Sequence, residues 1–255
     1  MANQDSTGKT LMVAFLLCIV CSVVVSAAAV ILRPLQDANK DIDRKRNILL
    51  AAGLYDDARS IDDQFSAIQT RLVDLQTGQF SEDVVVGFDQ RKAAKDPERS
   101  IALDSKSDIA KISRRENQAL VYIVESEGEI DKLILPVHGY GLWSTLYGFV
   151  ALESDLNTVA GLGFYDHAET PGLGGEVDNP RWKALWPGKQ VYRDGTVTLG
   201  LAKGAVDPTA PGAEYQVDGL SGATLTGRGV TNLIQFWLGE DGFAPFLDNF
   251  KRGEA

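Results

Sequence analysis

The chain has 255 residues, of which 44% are hydrophobic and 24% charged, an ordinary globular composition with room for one domain and an appendage. Its 35 acidic and 25 basic side chains leave a net charge of −10. That balance speaks against nucleic acid as a partner, since phosphate backbones are held by clustered Lys and Arg.

From Thr10 to Leu32 there is no charged residue, with Lys9 before the run and Arg33-Pro34 after it. As a helix of about 23 residues the run would reach roughly 35 Å, enough for a hydrocarbon layer of about 30 Å. We read 1–9 as a tail and 10–32 as a transmembrane helix. A cleavable signal peptide ending near Ser26-Ala27-Ala28-Ala29 competes, but the run is longer than a signal core and continues through Val30-Ile31-Leu32. Arg33, Lys40, Arg44, Lys45 and Arg46 follow the span, so charge bias alone directs the large domain to the cytoplasm. Cys18 and Cys21, the only cysteines, lie inside the span and read as small packing residues. The rest of the chain can form no disulfide, and its compartment cannot be read from cysteine usage.

Residues 33–80 read as a helical connecting segment and 81–255 as the main domain. Asn47–Leu54 forms a short amphipathic piece ending near Gly53. Ile61, Phe65, Ile68, Leu72 and Leu75 recur at helical spacing and stop at Gly78. Asp83–Phe88 reads as a strand, and Gln90–Arg115, highly charged and aperiodic, as a surface excursion. Leu120–Glu125 and Ile130–Leu135 make a hairpin around Ser126–Glu129. Further strands are expected at Leu146–Leu152, Thr158–Phe164 and Thr196–Leu201. The predicted class is α+β: a single N-terminal transmembrane helix, then a domain on a mainly antiparallel sheet with flanking helices.

Three stretches concentrate the chemistry. Pro136–Trp143 and His167–Gly174 each end a strand-like run and mix glycines with aromatic or polar groups, which suits either a flat ring sliding in edgewise or a pair of tight turns. His138 and His167 are the only histidines, too few for a metal site. The third stretch is Asp218-Gly219-Leu220-Ser221-Gly222-Ala223-Thr224, followed by Leu225-Thr226. After it Val230, Leu233, Ile234, Trp237 and Leu238 repeat on one helix face, with Gly239 as the C-cap. Hydroxyls at a helix start can receive a phosphate, or they can simply cap the helix. Gly219–Ala223 fails G-x-S-x-G at its last position, and no nucleotide-binding glycine motif is present, so neither a hydrolase nor an NADH site is expected on this chain.

The string from Asp218 to Thr224 resembles the covalent flavinylation motif of the FMN-binding domain family. The resemblance implies FMN joined by a phosphoester to Thr224, installed by a separate flavin transferase, with Asp218, Ser221, Gly222 and Ala223 shaping the attachment site. Thr226 lies outside the matched string and reads as a capping or packing residue. Glu169-Thr170-Pro171-Gly172-Leu173-Gly174 is similar to the family's isoalloxazine-lining run, which makes Glu169, Thr170, Leu173 and Gly174 expected flavin contacts, with Trp143 beside the ring. With its single anchor, the whole chain is similar to the C subunits of bacterial Na+-translocating NADH:quinone reductases. The G subunits of Rnf electron-transport complexes share the motif. The resemblance implies a flavoprotein that relays electrons beside other subunits of a membrane NADH:quinone reductase, anchored in the bacterial inner membrane with its domain on the periplasmic side. A reading of another class is a membrane-tethered binding or scaffolding domain without cofactor.

Overall fold

The computed structural model describes residues 6–83 and 85–255. It divides into two units, 1–43 and 44–255. Among the described residues the first holds one helix, α1 (Thr7–Ala51), whose later turns belong to the second unit. α1 is long and apolar enough to cross a membrane, and its side chains before Asp41 are exposed, Cys18 and Cys21 included. It runs on through Pro34, so the expected separate piece at Asn47–Leu54 is instead the end of this helix. Gly53 adopts φ +68°, and Leu54 N–H returns to the Leu49 carbonyl at 2.8 Å, closing the helix as a left-handed glycine cap.

The expected helix over 61–75 divides in two. Ser60 caps a short α2 (Ile61–Phe65) through Asp63 N–H, and β1 (Ile68–Asp74) is a strand. The apolar spacing fits a helix, but every residue of β1 finds a partner on β5 (Gln118–Ser126), from Ile68↔Val124 to Asp74↔Gln118. Tertiary pairing overrides the local period. The strand also fits because both its faces are covered: Ile68 and Leu72 face one core, Val73 the other.

β2 (Gln79–Phe80) takes the outer edge of β1. The expected strand at Asp83–Phe88 is not formed among its described residues, Val84 lying outside them; Phe88 N–H bonds the Val85 carbonyl and Gly87 takes φ +81°, which turns the chain. The charged 90–115 stretch is more than a surface excursion. It holds α3 (Gln90–Lys95), capped by Asp89, and β3 (Ser100–Ala102), which pairs with β4 (Arg114–Glu116), and it buries Ala93, Ser100, Ala110 and Arg115.

The hairpin of β5 and β6 (Glu129–Tyr140) forms as expected, and β7 (Thr145–Glu153) and β8 (Val159–Asp166) extend it. The result is an antiparallel six-stranded sheet in the order β2-β1-β5-β6-β7-β8. Side chains alternate across it. Leu120, Tyr122 and Val124 meet Ile48, Leu49 and Ala51, whereas Ala119, Val121 and Ile123 belong to the larger core on the opposite face. Burial of both faces explains why Ala119–Val124 reads as one unbroken apolar run.

Beyond β8 come α4 (Pro180–Lys183) and the hairpin β9 (Tyr192–Arg193) with β10 (Thr196–Val197). The strand expected at Thr196–Leu201 is broken: β11 (Gly200–Leu201) leaves β10 and pairs in parallel with β12 (Gln216–Val217). α5 (Thr224–Trp237) then lays Val230, Leu233, Ile234 and Trp237 into the large core, as expected. Its cap is Leu238 in ordinary helical conformation rather than Gly239, because Gly239 turns the chain toward α6 (Ala244–Arg252) instead of terminating it left-handed.

Candidate functional site

The Asp218–Thr224 string is held at both ends. Asp218 accepts Val206 N–H on its carboxylate at 2.9 Å and the Trp182 indole N–H on its carbonyl at 2.9 Å. Gly219 N–H bonds the Gly204 carbonyl at 2.8 Å. Ala223 N–H then closes a turn on the Leu220 carbonyl, with Gly222 at φ +70° inside it. A side chain at 222 would be strained in that left-handed conformation and would press on Leu173, whose Cδ2 would lie 3.1 Å from an added Cβ. The turn thus touches the 169–174 loop.

Thr224 is the first residue of α5 and is exposed. The preceding Ala223 has no side-chain oxygen, and no side chain caps the helix. The hydroxyls of this stretch therefore do not act as the cap. They leave the N–H groups of the first turn open at the positive end of the helix dipole.

Thr226 behaves differently. It is fully buried, and its hydroxyl donates to Glu169 Oε2 at 2.7 Å. Glu169, only 5% exposed, accepts on Oε1 the backbone N–H groups of Leu142, Trp143 and Ser144 at 3.0, 2.9 and 3.2 Å. Burial works to raise its pKa, but the Thr226 hydroxyl and the three N–H groups outweigh burial and hold the carboxyl below its usual value. Gly174 sits against this pair: a Cβ there would come within 2.6 Å of both Glu169 Oε2 and Thr226 Oγ1. Thr170 is exposed, and its carbonyl accepts Leu173 and Gly175 N–H, shaping the loop.

The segments so joined carry bare apolar side chains. Trp143 is 66% exposed, Leu225 52% and Leu173 45%. Six of the expected residues, Trp143, Thr170, Leu173, Ser221, Gly222 and Thr224, therefore present surface to solvent, whereas Glu169, Gly174 and Ala223 are buried and Asp218 is half-buried. Sequence reasoning missed Leu225, and it missed the Thr226–Glu169 bond. A signal for the latter was present: residues two apart on a helix point about 200° from each other, so Thr224 and Thr226 could not serve the same face.

The two histidines do separate work. His167 Nε2 lies 2.8 Å from Asp178 Oδ2, and Nδ1 accepts Glu169 N–H. The Asp178 hydrogen bond, opposed by burial, pushes its pKa up. His138 stacks on Tyr147 at 5.5 Å and meets Trp237 at a tilt at 4.8 Å, and burial beside Arg91 pushes its pKa down to about 3.

Among known families, residues 141–239 match the FMN-binding domain. That span runs from the Trp143 turn to the residue after the α5 cap. The C subunit of the Na(+)-translocating NADH-quinone reductase of Pseudomonas aeruginosa is 56% identical over the full length of both chains. The chain belongs to the family of these C subunits. The C subunit of Vibrio alginolyticus is 48% identical over 99% of this chain and 98% of its own. The crystal structure of the C subunit from Shewanella oneidensis superposes with a TM-score of 0.78 at 40% identity, covering 84% of this chain and 99% of that one.

Proposed function

We propose that this chain is the flavin-carrying electron-transfer subunit of a Na+-translocating NADH:quinone reductase, with FMN esterified through its phosphate to Thr224. The family and the N-terminal span by themselves make it a membrane-anchored flavoprotein of an NADH-quinone oxidoreductase complex. The observation that carries the attachment at Thr224 is the contrast within Thr224-Leu225-Thr226. One hydroxyl is exposed at an uncapped helix start, and the other is buried and engaged by a carboxylate.

The residues present fit such a group. Open N–H groups and the dipole at the start of α5 suit a phosphoester anion. Arg228, exposed and one turn further along the same helix face as Thr224, adds a positive charge there. The absence of side-chain bulk at Gly222 and its reduction at Ala223 leave the backbone approachable. Trp143, Leu173 and Leu225 offer apolar surface to the flavin ring, Asp218 and Ser221 build the turn that carries the tether, and Glu169, Thr170 and Gly174 support the loop behind it. Bound FMN supplies the electron exchange, and the protein supplies placement and charge. A covalent link on a water-facing surface prevents loss by dissociation while leaving the ring untouched.

In this reading a flavin transferase matures the chain, α1 anchors it in the bacterial inner membrane, other subunits exchange electrons with it, and the domain faces the periplasm. A large domain can translocate against the charge bias that follows the span. Intact mass of the purified chain and ultraviolet viewing of a denaturing gel test attachment directly. Wild type and Thr226→Ser should carry flavin, and Thr224→Val should be dark with its fold retained. A bright band from Thr224→Val would overturn Thr224 as the acceptor.

A further inference from the structure

We infer that Glu169 is a positioning residue: its buried carboxylate fixes the rotation of the first turn of α5, so that the Thr224 hydroxyl faces outward for flavin attachment. This rests on the reading of Thr224 as the acceptor. An ionised carboxylate offers about four lone-pair sites. Here three N–H groups, of Leu142, Trp143 and Ser144, fill Oε1, and the Thr226 hydroxyl takes one site on Oε2. With Oε1 filled, Oε2 engaged by Thr226 and only 5% exposure, Glu169 has little to give a ligand directly. The resemblance makes it a flavin contact, whereas the hydrogen bonds make it a clamp between the Trp143 turn and the helix start.

The clamp acts on angle. Successive helical residues advance by about 100°, so locking Thr226 inward turns Thr224 outward. No side chain caps α5, and on its first three residues this bond is the side-chain hydrogen bond present. Gly141 and Gly174 make the clamp possible, since a Cβ at either would lie within 2.7 Å of a Glu169 oxygen.

In the attachment step the Thr224 Oγ–phosphorus bond forms, the phosphoanhydride bond of a flavin dinucleotide donor breaks, AMP leaves, and the hydroxyl proton passes to a base of the transferase. Holding the nucleophile at the correct angle lowers the entropic part of that barrier. The test uses the purified full-length chain, the host's flavin transferase and FAD, following flavin incorporation by intact mass, with thermal unfolding of each variant alongside. Thr226→Val should incorporate flavin roughly tenfold more slowly while still unfolding cooperatively. Thr226→Ser, which keeps the hydroxyl, should restore the wild-type rate. Equal rates for Thr226→Val and wild type would overturn the inference, as would a Thr226→Ser as slow as Thr226→Val. A wild-type chain that gains no flavin at Thr224 would instead overturn the reading beneath it.

Discussion

At the scale of single residues, two positions near the site separate packing from presentation. Gly174→Ala places a methyl within 2.6 Å of the Glu169–Thr226 pair, both atoms of which are committed to hydrogen bonds. Overpacking of this kind costs about 1–3 kcal/mol, which should appear as a lowered urea midpoint with an unchanged slope. Trp143→Ala removes a ring that is mostly in solvent, so it should shift stability by no more than about 0.5 kcal/mol. If the ring lies beside the flavin, the same change should alter flavin fluorescence. A stability loss as large as that of Gly174→Ala would show that Trp143 is a packing residue instead.

At the scale of elements, β6 and β4 carry two buried titrating groups that work in opposite directions. Burial beside Arg91 holds His138 neutral down to about pH 3, whereas an unfolded imidazole takes up its proton near 6.5. The unfolded state therefore binds more protons between those values, and this contribution to stability is lost as pH falls. Glu116 is the reverse. Burial, partly offset by its hydrogen bonds and by Arg115, raises it to about 7, so its contribution is present at low pH and lost as pH rises through 7. Over pH 5 to 7 the two nearly cancel. In a Glu116→Gln/His167→Gln background, which also removes the opposing contribution of His167 with its raised pKa, the His138 dependence should appear as a fall in stability of about 2 kcal/mol between pH 7 and pH 5 in urea titrations. A flat profile in that variant would mean that His138 is not held neutral.

Elements also differ in how far the amino-acid order announces them. α5 and the β5–β6 hairpin are legible because one apolar face, or one turn between two apolar runs, settles each locally. β1 is not, because Ile68, Leu72 and Leu75 satisfy a helical period and only pairing with β5, distant in the chain, decides for a strand. The 196–201 strand is lost for a related reason: β11 is drawn away to a distant β12. In the site, the motif fixes attention on Thr224, but the role of Glu169 depends on N–H groups from a turn some 25 residues away. No short-range pattern encodes that.

At the scale of the whole molecule, residues before Arg44 contribute no buried side chain among those described, whereas Ile48, Leu49 and Ala51 lie in the core of the second unit. Residues 44–255 expressed alone should therefore unfold cooperatively, with a midpoint within a few degrees of the full chain in detergent. Loss of cooperative unfolding would show that the first unit is needed for the fold. Both thiols are confined to α1, and the unit bearing the site has none. That unit is thus chemically silent toward sulfhydryl reagents, so any cysteine introduced there reports unambiguously. Val86, 88% exposed, is a suitable place. In Cys18→Ser/Cys21→Ser cells carrying Val86→Cys, a maleimide too polar to cross the inner membrane should label the chain without lysis if the domain lies outside the cytoplasm. Labelling only after lysis would show that the basic cluster beyond the span, and not family likeness, dictates sidedness.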